Sequence, residues 1–140
     1  MSDHRLDTKG RARALQMLYA WEIDSQVPLE YVTRRVAHLI RPDAGVTSLA
    51  AAHAGRVVAN VGTLDRRAAA AADNWRWDRV GLIERNILRL AIQELEDGGT
   101  PPKVVIDEAI RLARWFGGTR APAFVNGVLD RVARDLGRLD

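Results

Sequence analysis

Of the residues able to do chemistry, the three histidines His4, His38 and His53 show no metal-ligand spacing such as HExxH, and none has a carboxylate beside it in a recognised metal pattern. Cysteine is absent, which removes thiol nucleophiles, disulfides and every zinc site built on thiolates. Asp107 and Glu108 are adjacent; on a helix they point about 100° apart and do not converge as a general acid and base. Asp107 is better placed to pair with Arg111, four residues on. The glycine pairs at Gly98 and Gly117 lack the Walker and dinucleotide spacings, and helix termination explains both. No catalytic residue, metal site or cofactor is expected.

Binding chemistry is better represented. Arg5, Lys9, Arg11 and Arg13 stand against Asp3 and Asp7 at the start of the chain, where basic groups can engage phosphates, and Tyr19 offers an aromatic surface two turns on. A frayed, solvated terminus is the plainer reading from composition. The C-terminal half adds Arg111, Arg114, Arg120, Arg131 and Arg134, most of which a solvated helix face explains. Four tryptophans, Trp21, Trp75, Trp77 and Trp115, can stack on unpaired bases, with core or seam packing as the simpler role. Asn126-Gly127 normally signals a turn yet lies in a helical pattern. Gly127 costs such a helix about 1 kcal/mol relative to Ala, and either a close helix contact or a partner approaching the backbone would offset that.

The elements that must position these groups are helical almost throughout. Ala14, Leu15, Leu18, Tyr19 and Ile23 recur at helical spacing between Arg11 and Asp24, and Tyr31, Val32, Val36, Leu39 and Ile40 do so between Pro28 and Pro42. Thr47 and Ser48 predict the start of a long Ala-rich helix from Leu49 towards Ala72, with Gly55 and Gly62 weakening its continuity. The good helix formers stop at Asn74 to Asp78, which is expected to be a seam between an N-terminal helical subdomain, 1–74, and a C-terminal one, 75–140. Val80, Ile83, Ile87, Leu90, Ala91 and Leu95 mark the next helix, ended at Gly98. Val105, Ala109, Leu112 and Phe116 form the inward stripe of another, and Pro122 opens a last helix carrying Phe124, Val125, Val128, Leu129 and Val132. Val57-Val58 and Val104-Val105 show no sustained alternation, so strands are not expected.

A chain of 140 residues with 47% hydrophobic and 28% charged residues has the composition of one folded domain. Twenty-one Lys and Arg against eighteen Asp and Glu give +3, which permits nucleic-acid binding without demanding it. Met1 to Arg13 is polar, and no stretch approaches the ~18 apolar residues of a membrane span. A cytoplasmic protein is expected.

Several runs of residues are familiar as well as suggestive. Arg11-Ala12-Arg13-Ala14-Leu15-Gln16-Met17-Leu18-Tyr19 with Glu22 resembles the opening helix of the NusB transcription antitermination family. Glu84-Arg85-Asn86-Ile87-Leu88-Arg89-Leu90-Ala91 with Glu94-Leu95 resembles its central helix. Pro102, Val105 to Ile110, Leu112-Ala113, Phe116-Gly117 and Phe124-Val125-Asn126-Gly127-Val128-Leu129-Asp130 reproduce its C-terminal signature in order and spacing. Val27 to Asn74 is the least diagnostic stretch.

The resemblance implies an all-α fold of two packed small helix bundles, with about seven helices. It implies that the chain is a transcription antitermination factor and not an enzyme. Its partners would be single-stranded boxA RNA of ribosomal transcripts, the ribosomal protein NusE and the transcription elongation complex, with self-association left open. By position, Lys9, Arg11 and Arg13 fall in the family's RNA-contacting segment, with Arg5 just ahead of them; Arg89 and Phe124 fall beside its RNA surface, and Tyr19 and Glu84 at its NusE-facing surface. The terminus is less basic than is usual in the family, and Ala121 and Ala123 replace a Ser and a Lys or Arg, a loss for which Arg120 is placed to compensate. Two rival readings are a protein-interaction module with little RNA binding, and a helical module related to ribosomal RNA methyltransferases. The second predicts a catalytic domain with a reactive Cys.

Overall fold

Asp7 sets the start of the first helix, α1 (Thr8–Ile23): its carboxylate accepts from the Gly10 N–H at 2.7 Å, satisfying one of the donors that a helix start leaves unpaired. The structure is a computed structural model, and it describes residues 6–24, 28–39, 44–73 and 75–139, with side chains left aside at 35–39 and 44–47. Arg5, His4, Ile40 and Asn74 therefore lie outside the described residues. The fold is all-α, as the periodicity implied: seven α-helices and one 3₁₀ helix among the described residues, with both valine pairs inside helices.

The chain divides into two compact units, 1–59 and 60–140. In the first, α1 packs against α2 (Leu29–Leu39) and α3 (Ala44–Ala59). Ala14, Leu15, Leu18 and Val32 are buried as their spacing predicted, but Tyr19, Ile23 and Tyr31 from the same stripes are exposed. Ala50, Ala54 and Val57 supply the buried face of α3.

In the second unit, α4 (Val61–Ala71), α5 (Leu82–Asp97), α6 (Pro102–Phe116) and α7 (Ala121–Asp135) are built around α5, which packs against the other three. Every residue from Asn86 to Leu95 is buried, so α5 is enclosed all round, unlike a surface helix with one apolar stripe. Leu88, Leu90, Ile92 and Leu95 each contribute about 1.5–3 kcal/mol of burial free energy. Gly98 ends α5 in the left-handed conformation at φ 78°, which glycine adopts without a Cβ penalty. Arg138 then donates to the Leu95 carbonyl at 2.6 Å and the Thr100 carbonyl at 3.3 Å, placing a cation at the negative end of the helix dipole.

The single helix expected from Leu49 to Ala72 is two helices. The break falls at Asn60, not at Gly55 or Gly62, and α3 begins at Ala44, ahead of the expected caps. The Asn60 side chain donates to Gln93 Oε1 at 3.0 Å on α5; its backbone leaves the helical region at φ −112°, ψ 14°, so this contact and the break occur together. The units accordingly divide between Ala59 and Asn60, ahead of the 74/75 seam read from the sequence, because α4 packs on α5 and α7. The break after α4 does occur, and a 3₁₀ helix, Trp77–Arg79, follows it. Among the described residues no helix is long and apolar enough to cross a membrane.

Candidate nucleic-acid interface

In the second unit a cleft of about 430 Å³ lies among the segment after α4, the start of α5, the α6–α7 turn and the first turn of α7. Its apolar wall is Phe124 against Trp75, ring centroids 4.9 Å apart and tilted 60°, an arrangement aromatic pairs favour. Phe124 is held by its place in the opening turn of α7, where the Pro122 ring suits the missing backbone bonds of a helix start. Trp75 is tied back by its N–H to the Ala72 carbonyl at 2.9 Å and remains 52% exposed, so the pair presents an aromatic surface and is not core.

Two guanidiniums flank this surface. Arg79 ends the 3₁₀ helix and Arg120 precedes α7; both line the cleft, are exposed, and make no ion pair among the described residues. Glu84, half-buried in the first turn of α5, accepts from the Gly118 N–H at 3.1 Å. It thereby fixes the turn from which Arg120 projects. A Cβ at Gly117 would sit 2.7 Å from the Ala121 Cβ and 2.8 Å from the Ala113 carbonyl, so this close turn requires glycine. The arrangement offers stacking faces beside two cations and one fixed carboxylate, chemistry suited to an anionic ligand with planar groups.

The structure thus brings Glu84, Arg120 and Phe124 together. It adds Trp75 and Arg79, which sequence reasoning did not select as site residues; the available signal was an aromatic and an arginine in a segment where the helical pattern stops. Arg89 is not in the cleft. Its Nε and Nη2 donate to Asp65 Oδ1 and Oδ2 at 2.7 and 2.8 Å, and its Nη1 to Asn86 Oδ1 at 3.1 Å. With a side chain only 7% exposed, Arg89 joins α5 to α4 and offers no open phosphate contact.

In the first unit Lys9 is exposed and Arg13 half-buried, four residues apart and so on one helix face. Arg11 is 3% exposed. The spacing explains it: Arg11, Ala14, Leu15 and Leu18 stand at i, i+3, i+4 and i+7, and all are buried. In this conformation Arg11 presents little surface to a phosphate. Tyr19 is exposed on the same helix.

A family model described as NusB family matches residues 8–134. A transcription antitermination protein NusB from Solibacter usitatus is 39% identical over 134 residues, covering 91% of this chain and 88% of the relative. One from Sorangium cellulosum is 41% identical over 137 residues, covering 94% of each. Among solved structures, T. maritima NusB aligns with a TM-score of 0.82 at 26% identity, covering 96% of this chain and 92% of that one. A crystal structure of the antitermination factors NusB and NusE in complex with double-stranded RNA aligns at 0.80 and 24% identity, covering 91% and 96%.

Proposed function

The chain belongs to the NusB family, and from that membership we propose that it is a cytoplasmic transcription antitermination factor that binds boxA RNA of ribosomal transcripts together with NusE, by binding alone and without turnover. The observation that carries the RNA half of this reading is the Trp75–Phe124 pair flanked by Arg79 and Arg120. Aromatic faces stack unpaired bases, each stack contributing about 1–3 kcal/mol, while the guanidiniums meet phosphates. That chemistry selects single-stranded RNA, since the bases of a duplex are already stacked. Lys9 and Arg13 add basic contacts on α1, and Arg5 falls in the same segment of sequence. Arg11 and Arg89 are buried, and in this reading they support the helices that carry the surface. The NusE half rests on the relatives, one of which is solved with NusE, and on Tyr19 and Glu84.

Titrating labelled boxA RNA with Phe124→Ala and with Arg120→Ala tests the reading. Phe124→Ala weakens binding by about 5- to 160-fold. Arg120→Ala makes the log-log salt slope shallower by about 0.7. Affinity unchanged in both variants removes the cleft from the RNA site.

A further inference from the structure

The last two turns of α6 carry a second aromatic and basic surface outside the cleft. Trp115 is 56% exposed, although a large aromatic is normally used where burial rewards its area. The Arg111 guanidinium lies 6.0 Å from the centroid of its ring, at the outer edge of cation–π reach. Arg111 makes no ion pair among the described residues, with Asp107 or otherwise. Phe116, expected on the inward stripe, is instead partly exposed and meets Trp115 edge-on with centroids 6.3 Å apart. Arg114 is exposed in the final turn, where a cation also complements the negative end of the helix. The acids of this helix, Asp107 and Glu108, lie further towards its N-terminus.

This surface and the cleft are close along the chain. Gly117 alone separates Phe116 from Gly118, which lines the cleft, so no more than about 7.6 Å of chain divides them. Both belong to the second unit. Two exposed aromatic rings with two arginines and no acid in the same turns favour a ligand that is both anionic and planar in its repeating groups.

Resting on the RNA-binding reading above, we propose that the C-terminal end of α6 is a second contact for the same strand of RNA. Trp115 stacks an unpaired nucleotide flanking the segment held in the cleft, and Arg111 and Arg114 meet its phosphates. The platform lengthens the bound single strand and adds little sequence selectivity, because every base has a face to stack.

The test titrates wild type, Trp115→Ala, Trp115→Phe and Phe124→Ala with labelled boxA RNA in two forms, the core alone and the core extended at both ends by unpaired nucleotides. Wild type binds the extended RNA more tightly. Trp115→Ala loses that gain, on the order of tenfold, and leaves the core RNA unchanged, while Trp115→Phe keeps most of it. Trp115→Ala behaving as wild type on both RNAs, while Phe124→Ala weakens both, overturns the platform and leaves the cleft standing. Loss of the gain in Trp115→Ala, with Phe124→Ala unaltered, supports the platform and removes the cleft. Weaker NusE binding by Trp115→Ala with unchanged RNA binding makes this face a protein contact and overturns the proposal. No RNA binding by wild type defeats both readings.

Discussion

Replacing Asp65 by Ala removes both carboxylate oxygens that hold Arg89 and leaves a guanidinium whose side chain is 7% exposed. Breaking one side of a buried pair costs about 3–5 kcal/mol, chiefly because the remaining charge stays desolvated. Asp65 is 27% exposed, so water reaches the vacated position, and Asn86 Oδ1 still accepts from Arg89 Nη1; a loss of about 2–3 kcal/mol is expected. With an unfolding entropy of roughly 0.3 kcal/mol/K for a chain of 140 residues, the melting temperature falls by about 7–10 °C. Thermal unfolding followed by circular dichroism measures this directly. Adding Arg89→Met to Asp65→Ala recovers most of the loss, since no unpaired charge then remains. RNA affinity and its salt slope, measured well below the transition, stay at the wild-type values in both variants. An unchanged melting temperature in Asp65→Ala, with a shallower salt slope in the double variant, would refute the assignment of Arg89 to the fold and make it a phosphate contact.

Two further changes probe the cleft and the last helix. Gly127→Ala raises the melting temperature by about 3 °C, because a Cβ there meets nothing within 4 Å and helix propensity improves by about 1 kcal/mol; weaker RNA or NusE binding in the same protein would show that a partner approaches this backbone. Glu84→Ala removes the acceptor of the Gly118 N–H, costs about 0.5–1.5 kcal/mol and lowers RNA affinity by loosening the turn before Arg120. Glu84→Gln keeps an acceptor there and retains RNA affinity, so NusE binding lost in the Gln variant reports a separate role for the charge.

The helices of the second unit were legible because their boundaries are local chemistry. Gly98, Pro102, Gly117 and Pro122 end or begin them, and Val105, Ala109, Leu112, Val125, Val128 and Leu129 are buried at the spacing that predicted it. The break at Asn60 was not legible, since it coincides with a hydrogen bond to a residue thirty-three positions away, which no local propensity reports. Gly127 was expected to serve a close helix contact or an approaching partner; open space around its missing Cβ removes the first explanation.

Site residues divide the same way. Arg120 and Phe124 line the cleft; the family resemblance, and not the helical pattern, singles them out. Position alone cannot show whether an arginine points outward. Arg89 sits on a helix enclosed all round, and Arg11 on a buried stripe; the second could have been read from its spacing to Ala14, Leu15 and Leu18. For Trp75 and Trp115 the sequence favours packing roles, whereas their exposure depends on which neighbours the tertiary fold supplies.

The decisive experiment titrates labelled boxA RNA and a scrambled control with this protein, with and without purified NusE, at two salt concentrations. Selective binding to boxA, tightened by NusE, with a log-log salt slope of about −0.7 for each phosphate neutralised, is the expected result. Equal affinity for the two RNAs with NusE present, or an affinity flat in salt, would contradict it.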